Sequence, residues 1–240
     1  MSVPLASHTL VIVPTYNEAG NIAILVAAIL QATPAVDILF VDDHSQDGTQ
    51  DKIMLMQHQY GAKVHLLCRA GKLGLGTAYI AGFQWALTRR YRVIVQMDAD
   101  LSHDPAHLPH FLTLLESSDV VVGSRYVDGG GTRHWSIVRQ CISKAGALYA
   151  RWLLGVPIQD PTSGYNVWHR RVLEAIDFKA VQSQGYAFQI ECKYRAYRAG
   201  FRFVEVPIVF IDRHVGASKM STRIVLEAVL RTWQLRCLRL

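Results

Sequence analysis

Arg92-Val93-Ile94-Val95-Gln96-Met97-Asp98-Ala99-Asp100 is the stretch on which the fold turns. Its apolar, mostly β-branched half reads as a strand buried on both faces, as in a parallel sheet. Two carboxylates, one residue apart, follow at once. In an open α/β sheet such a strand end opens onto the crevice where ligands collect. Paired hard oxygen ligands there suit Mg2+ or Mn2+ that also takes oxygens from a ligand's phosphates. The plainer alternative is that the carboxylates cap the next helix.

Outward from that run, residues 9–13, 38–41, 64–67 and 120–122 repeat the same short apolar character. Helical patterns at 21–31, 50–60, 76–88 and 105–115 alternate with them. Asp104-Pro105 supplies an N-cap and first helical residue, and Pro109 predicts a late start or bend. Strand and helix in alternation predict a mostly parallel, Rossmann-like sheet with right-handed crossovers. After Gly123 the rhythm changes. Asp128-Gly129-Gly130-Gly131 reads as a loop, 136–154 and 188–199 as helices, and 201–206 as a strand.

The chain has 240 residues, half of them hydrophobic, enough for one sizeable core. One domain is expected over 1–222, followed by a basic amphipathic helix over 223–240. Residues 1–8 lack a charged start, so no secretory signal is expected, and no run reaches the ~18 apolar residues of a spanning helix. Cys68, Cys141, Cys192 and Cys237 are scattered and read as reduced thiols. The net charge of +6 is concentrated at the end: from Lys193 onward ten Lys and Arg face three acids. An anionic partner is expected there.

Three further strand ends carry ligand-suited groups. Pro14-Thr15-Tyr16-Asn17-Glu18 offers an aromatic face and polar edges. Asp42-Asp43-His44-Ser45-Gln46-Asp47-Gly48 is an acidic turn suited to ribose hydroxyls or a base edge. Gly71-Lys72-Leu73-Gly74-Leu75-Gly76-Thr77 is neither a Walker A loop nor the dinucleotide fingerprint, which disfavours an NAD oxidoreductase. A cationic group is also present: Arg125 follows the fifth strand, and Arg139 and Ser143 share one helix face at i,i+4. Such a group can hold a phosphate, or be an ordinary solvated face. Arg213 and Lys219 form another basic group in a Gly-containing loop.

These motifs resemble the family-2, GT-A-fold glycosyltransferases of the polyprenyl-phosphate (dolichyl-phosphate) mannosyltransferase branch. The likeness runs from about Thr9 to Lys219. It rests on the loops above together with Met97–His103, Gly123-Ser124-Arg125-Tyr126, Phe188-Gln189-Ile190-Glu191 and Val206-Pro207-Ile208. The resemblance implies that Pro14, Tyr16, Glu18, Val41 and Asp43 contact the donor's nucleoside. It implies Asp98, Ala99 and Asp100 at the donor diphosphate, with Mg2+ or Mn2+ on Asp98, Asp100 and a third ligand at or near Ser102. Arg213 and Lys219 would close over diphosphate and sugar. Arg125, Arg139 and Ser143 would receive the acceptor's phosphate, with Asp100, Arg125 and Arg139 central to catalysis. Asp160 lies where other family-2 enzymes carry an acidic base; here it is expected to be structural.

The implied reaction moves mannose from GDP-mannose to a polyprenyl phosphate, with a UDP-sugar donor as the alternative. A phosphomonoester acceptor, with second pKa near 6, is largely a dianion at pH 7 and needs no general base. A lipid acceptor implies a peripheral protein on the cytoplasmic side of a membrane, with a membrane-embedded partner subunit possible. In the tail, Leu226, Val229, Leu230, Trp233, Cys237 and Leu240 recur at helical spacing among Arg223, Arg231, Arg236 and Arg239. That stripe reads either as an interfacial helix or as one packed on protein. Intact acidic and cationic groups argue against a non-catalytic scaffold. No stacking motif or recognition helix supports a nucleic-acid partner.

Overall fold

The computed structural model describes residues 5–211 and 222–237, with side chains from 229 on in the last segment. A 3-10 turn, Leu5–His8, leads into β1 (Thr9–Thr15). The first half then alternates as expected: α1 (Ile22–Ala32), β2 (Asp37–Asp42), α2 (Thr49–Tyr60), β3 (Val64–Cys68), α3 (Leu75–Leu87), β4 (Val93–Gln96), α4 (Leu108–Leu114) and β5 (Val120–Ser124). The second half holds β6 (Gly131–Arg133), α5 (Ile137–Leu154), β7 (Asn166–His169), α6 (Arg170–Ala175), α7 (Gly185–Arg198), β8 (Phe203–Pro207), β9 (Val209–Ile211) and α8 (Thr222–Cys237).

Seven strands form one sheet in the order β3-β2-β1-β4-β7-β5-β8, while β6 and β9 pair separately. All pairings are parallel except that β7 runs antiparallel to both β4 and β5. Along β1 the period-2 rule sends side chains to opposite faces. Val11 and Val13 join Ile22, Val26, Ile53 and Phe111 on one side, and Leu10 and Ile12 join Tyr79, Phe83, Leu173 and Phe188 on the other. The result is a helix–sheet–helix sandwich. Helix α3 lies close against β1 because residue 82 is glycine: a Cβ there would meet Ile12 Cγ2 at 2.7 Å.

Two local expectations resolve physically. Asp104 Oδ1 accepts from the Ala106 amide at 2.9 Å, so the cap is real. The helix begins as a 3-10 turn, Pro105–His107, which puts Pro109 in the first turn of α4, where a missing N–H costs nothing. Strand β7 was not expected, because Asn166 and Trp168 break the apolar look of a central strand. Their donor groups are met inside: Asn166 Nδ2 donates to Gln96 Oε1 (3.0 Å) and Gln189 Oε1 (3.1 Å), and Trp168 Nε1 donates to Gln96 Oε1 (2.8 Å).

The four cysteines are free thiols. Helix α8 packs on α5 and α7, burying Thr232 and Leu235 and placing Tyr149 Oη 3.4 Å from the Val229 carbonyl. Its expected stripe nevertheless faces outward at Val229, Leu230 and Trp233. Thus one face packs on protein and the opposite face stays open. Among the described residues no helix is long and apolar enough to cross a membrane.

Candidate active site

The chain winds outward from β1 to β3 and returns to β4 on the other flank of β1, so β1 and β4 bound a topological switch point. The loop after β1 is zipped to the loop after β2. The Asn17 amide donates to Ser45 Oγ (2.9 Å), the Gln46 amide to Asn17 Oδ1 (3.0 Å), and the Glu18 amide to Thr49 Oγ1 (2.9 Å). Asp42 anchors this knot, accepting from Thr15, Ser45 and Gln50 side chains. Burial would raise its pKa, but those hydrogen bonds hold it below the usual carboxylate range.

Asp43 binds the third loop. Its carboxylate accepts from Arg69 Nη1 (2.6 Å) and from the Leu73 and Gly74 amides (3.0 and 3.1 Å), locking the third loop in place. Lys72 of that loop lies 4.0 Å over the Tyr16 ring. Glu18 accepts from Asn21 Nδ2 at 2.8 Å. Val41 and Ala99 are core side chains, so any ligand contact they make is through main chain; Pro14 is half-buried at the end of β1.

Asp98 and Asp100 emerge at the end of β4 as expected. Between Asp100 and Ser102, Leu101 takes φ +61°, a left-handed conformation that costs a branched residue roughly 1–2 kcal/mol. That turn brings Ser102 back to Asp100, whose Oδ1 accepts from the Ser102 amide (3.2 Å) and hydroxyl (2.5 Å). Ser102 is buried and stands behind Asp100 as its support. Tyr79 Oη, its phenol pushed well above the ordinary value by burial, donates to Asp98 Oδ1 at 3.3 Å. His103 Nδ1 accepts the Asp98 amide at 3.0 Å, which puts the ring proton on Nε2, 3.9 Å from Asp98 Oδ2. Burial lowers the His103 pKa and favours the neutral ring, which stacks on Tyr165.

Among the described residues no cluster of three or more His, Cys, Asp or Glu is arranged for a metal. The donor set is two carboxylates, with Asp98 about one-third exposed. That suits a hard divalent ion that takes its other oxygens from phosphate and water, and does not suit a protein-caged ion.

Arg125, of the expected cationic group, is buried and paired with Asp160. Asp160 Oδ2 accepts from the Arg125 amide (3.0 Å) and Nε (2.7 Å); Oδ1 accepts from Arg125 Nη2 (2.8 Å) and Thr162 Oγ1 (2.9 Å). Burial alone would raise the Asp160 pKa; the guanidinium overrides it and holds the carboxyl low. These bonds use all four acceptor sites of Asp160. Glu205 accepts the Gln159 and Asp160 amides, while the buried Lys193 ammonium donates to the Pro161 and Ser163 carbonyls.

Arg139 and Ser143 come to the same place. Arg139 Cζ lies 4.0 Å over Trp135, and Arg125 Cζ is 5.7 Å from the same ring. Ser143 Oγ accepts from Tyr126 Oη at 2.6 Å. Phe210 joins the two halves, 5.5 Å from the Trp135 ring and 5.7 Å from His103. Arg213 and Lys219 lie outside the described residues. Trp135, Tyr79, His103 and Lys193 touch or support the predicted site residues and were not singled out from the sequence. Tyr79 and His103 lay inside quoted motifs; Lys193 and Trp135 carried no signal beyond their residue type.

A doubly wound sheet with this switch-point crevice is the GT-A architecture of glycosyltransferases. Residues 10–177 match the family model for glycosyl transferase family 2, and the chain belongs to that family. It is 47% identical over 235 residues to polyprenol monophosphomannose synthase of Mycolicibacterium smegmatis, covering 95% of this chain and 88% of that one. It is also 47% identical over 223 residues to undecaprenyl-phosphate mannosyltransferase of Micrococcus luteus, covering 93% and 91%. Among solved structures it is similar to glucosyl-3-phosphoglycerate synthase of Mycobacterium tuberculosis, crystallised with Mn2+, UDP and glucosyl-3-phosphoglycerate. That match has a TM-score of 0.68 at 20% identity, covering 98% of this chain and 82% of the other, and bears on fold alone.

Proposed function

We propose that this chain transfers mannose from GDP-mannose to a polyprenyl phosphate in one inverting displacement, with Mg2+ or Mn2+ at Asp98 and Asp100. The observation that carries the reading is the gathering of Arg125 and Arg139 around Trp135, joined through Phe210 to the Asp98–His103 side. Two relatives 47% identical over nearly the whole chain bear names that specify mannosyl transfer to such lipids. Bound there, the divalent ion supplies charge neutralisation for the departing nucleoside diphosphate.

The chain's own residues do the rest. Tyr16 and the interlocked loops around Asp43 shape the nucleoside side, and Ser102, Tyr79 and His103 fix the two carboxylates. By resemblance, Arg213 and Lys219 close over the diphosphate. The acceptor phosphate arrives as its own nucleophile, so Asp160 need not take a proton and, fully hydrogen-bonded, is in no position to. Arg139, Ser143 and the remaining Arg125 Nη1 align it with the anomeric carbon, the positioning on which an in-line step depends.

Peripheral membrane contact is part of the proposal. Helix α5 exposes Ile137 and Trp152 at 79% each, with Val138 and Leu148 on the same outward side, and α8 adds Leu230 and Trp233. So much open apolar surface suits the headgroup region, and Lys144, Arg151 and Arg236 suit the anionic cytoplasmic leaflet. The test is acceptor competition. Sugar label should pass to polyprenyl phosphate and not to the matching polyprenol; equal labelling of the alcohol would refute a phosphate-selective acceptor site.

A further inference from the structure

Trp135 is about nine-tenths buried, yet its indole Nε1–H finds no acceptor among the described residues. A buried donor left unpaired costs roughly 1–3 kcal/mol, and buried tryptophans usually place this group against a partner. The ring itself is well fixed. Arg139 covers it at 4.0 Å, Phe210 meets it at 70° with centroids 5.5 Å apart, and Gln140 Nε2 donates to the Trp135 carbonyl at 3.2 Å. Held in this way, the side chain keeps its donor away from solvent.

Trp135 also lines a cavity of about 70 Å3 whose walls include Arg125, Tyr126, Gln140 and Lys144. None of the described residues lining it is a carboxylate. Two cations and the indole that carries the unanswered donor therefore line one small space, and Arg139 covers the same ring at 4.0 Å. Their shared complement is a compact, multiply charged oxyanion. A phosphate group offers enough acceptor oxygens to meet a guanidinium, an ammonium and an indole N–H together.

We infer that the Trp135 indole N–H donates a hydrogen bond to the acceptor's phosphate. The inference rests on the proposed acceptor reading and adds to it a donor that neither charge nor spacing identified. The ring has two guanidiniums near it, at 4.0 and 5.7 Å, and its N–H gives direction to a site that charge alone would leave isotropic.

Trp135→Phe keeps an aromatic ring near both guanidiniums and removes the N–H, together with part of the indole's surface. A hydrogen bond to a charged group is worth about a ten- to hundredfold change in affinity. The KM for polyprenyl phosphate should rise by that factor, with the donor KM within about twofold of wild type. An acceptor KM unchanged in the folded variant overturns the inference. A second measurement does not depend on turnover: the 15N indole resonance of Trp135 in the wild-type chain, assigned through its own backbone amide. Polyprenyl phosphate in detergent micelles should move its proton downfield, inorganic phosphate should do so more weakly, and polyprenol should not. No shift with either phosphate, or a shift with GDP alone, overturns the inference. If wild type transfers no sugar from any donor, the functional proposal fails while the indole titration still decides the role of Trp135.

Discussion

Asp160→Asn tests the buried pair on the proposed acceptor side. Asp160 is fully buried and takes three hydrogen bonds from Arg125 and one from Thr162. Asparagine keeps one acceptor oxygen and turns an NH2 toward donors, leaving the Arg125 charge, only 7% exposed, without its counter-ion. Removing one partner of a buried pair costs about 3–5 kcal/mol. For a protein of this size that corresponds to a fall in Tm of about 6–20 °C. The assay is urea unfolding at pH 7, with the slope m unchanged. A loss below about 1 kcal/mol would refute the view that this pair organises the loop. The pH dependence has a definite sign. Because the Asp160 carboxyl is held low when folded, its stabilisation is present above about pH 4, the unfolded value, and is lost as pH falls below it. The variant should therefore lose less stability than wild type on acidification.

Other outcomes follow from the same geometry. Asp98→Asn and Asp100→Asn should each lower kcat by about a hundredfold or more, with Tm nearly unchanged, since Asp98 is about one-third exposed; activity within tenfold of wild type would argue against a metal on these carboxylates. Lys193 has its pKa lowered to about 7 by burial, against the pull of Asp160 and Glu205. Between that value and 10.5 the unfolded chain holds a proton the native one lacks, so this group makes stability rise with pH there, by at most about 1.4 kcal/mol per unit. Denaturation of Lys193→Met should lack that component; identical slopes from pH 7 to 10 would contradict a near-neutral lysine. Trp152→Glu with Trp233→Glu should abolish flotation with anionic liposomes while leaving GDP-mannose binding intact, and unchanged flotation would exclude this face as the membrane contact.

The parallel half of the fold was legible because its strands are buried on both faces and write continuous apolar runs. Strand β7 was not, because Asn166 and Trp168 make sense only beside Gln96 and Gln189, residues distant in sequence. Asp98 and Asp100 were legible as a strand-end pair. Their supports were not: Ser102 turns inward only because Leu101 adopts a left-handed conformation, and His103 serves Asp98 through a ring nitrogen and a backbone amide. Arg125 and Asp160 were both named, but 35 residues separate them and nothing in spacing says they pair. The tail helix was read as either membrane-facing or protein-facing; Leu235 packs while Trp233 is 59% exposed, so the two faces divide those roles.

The most direct measurement is transfer of label from a panel of radiolabelled sugar nucleotides to polyprenyl phosphate, with and without Mn2+. Organic-extractable label should come from GDP-mannose, require the divalent ion, and be absent with UDP-glucose. Label from UDP-glucose in place of GDP-mannose would contradict the donor assignment. Lipid product undiminished by chelation would contradict the role given to Asp98 and Asp100, and no lipid product from any donor would contradict the proposed reaction itself.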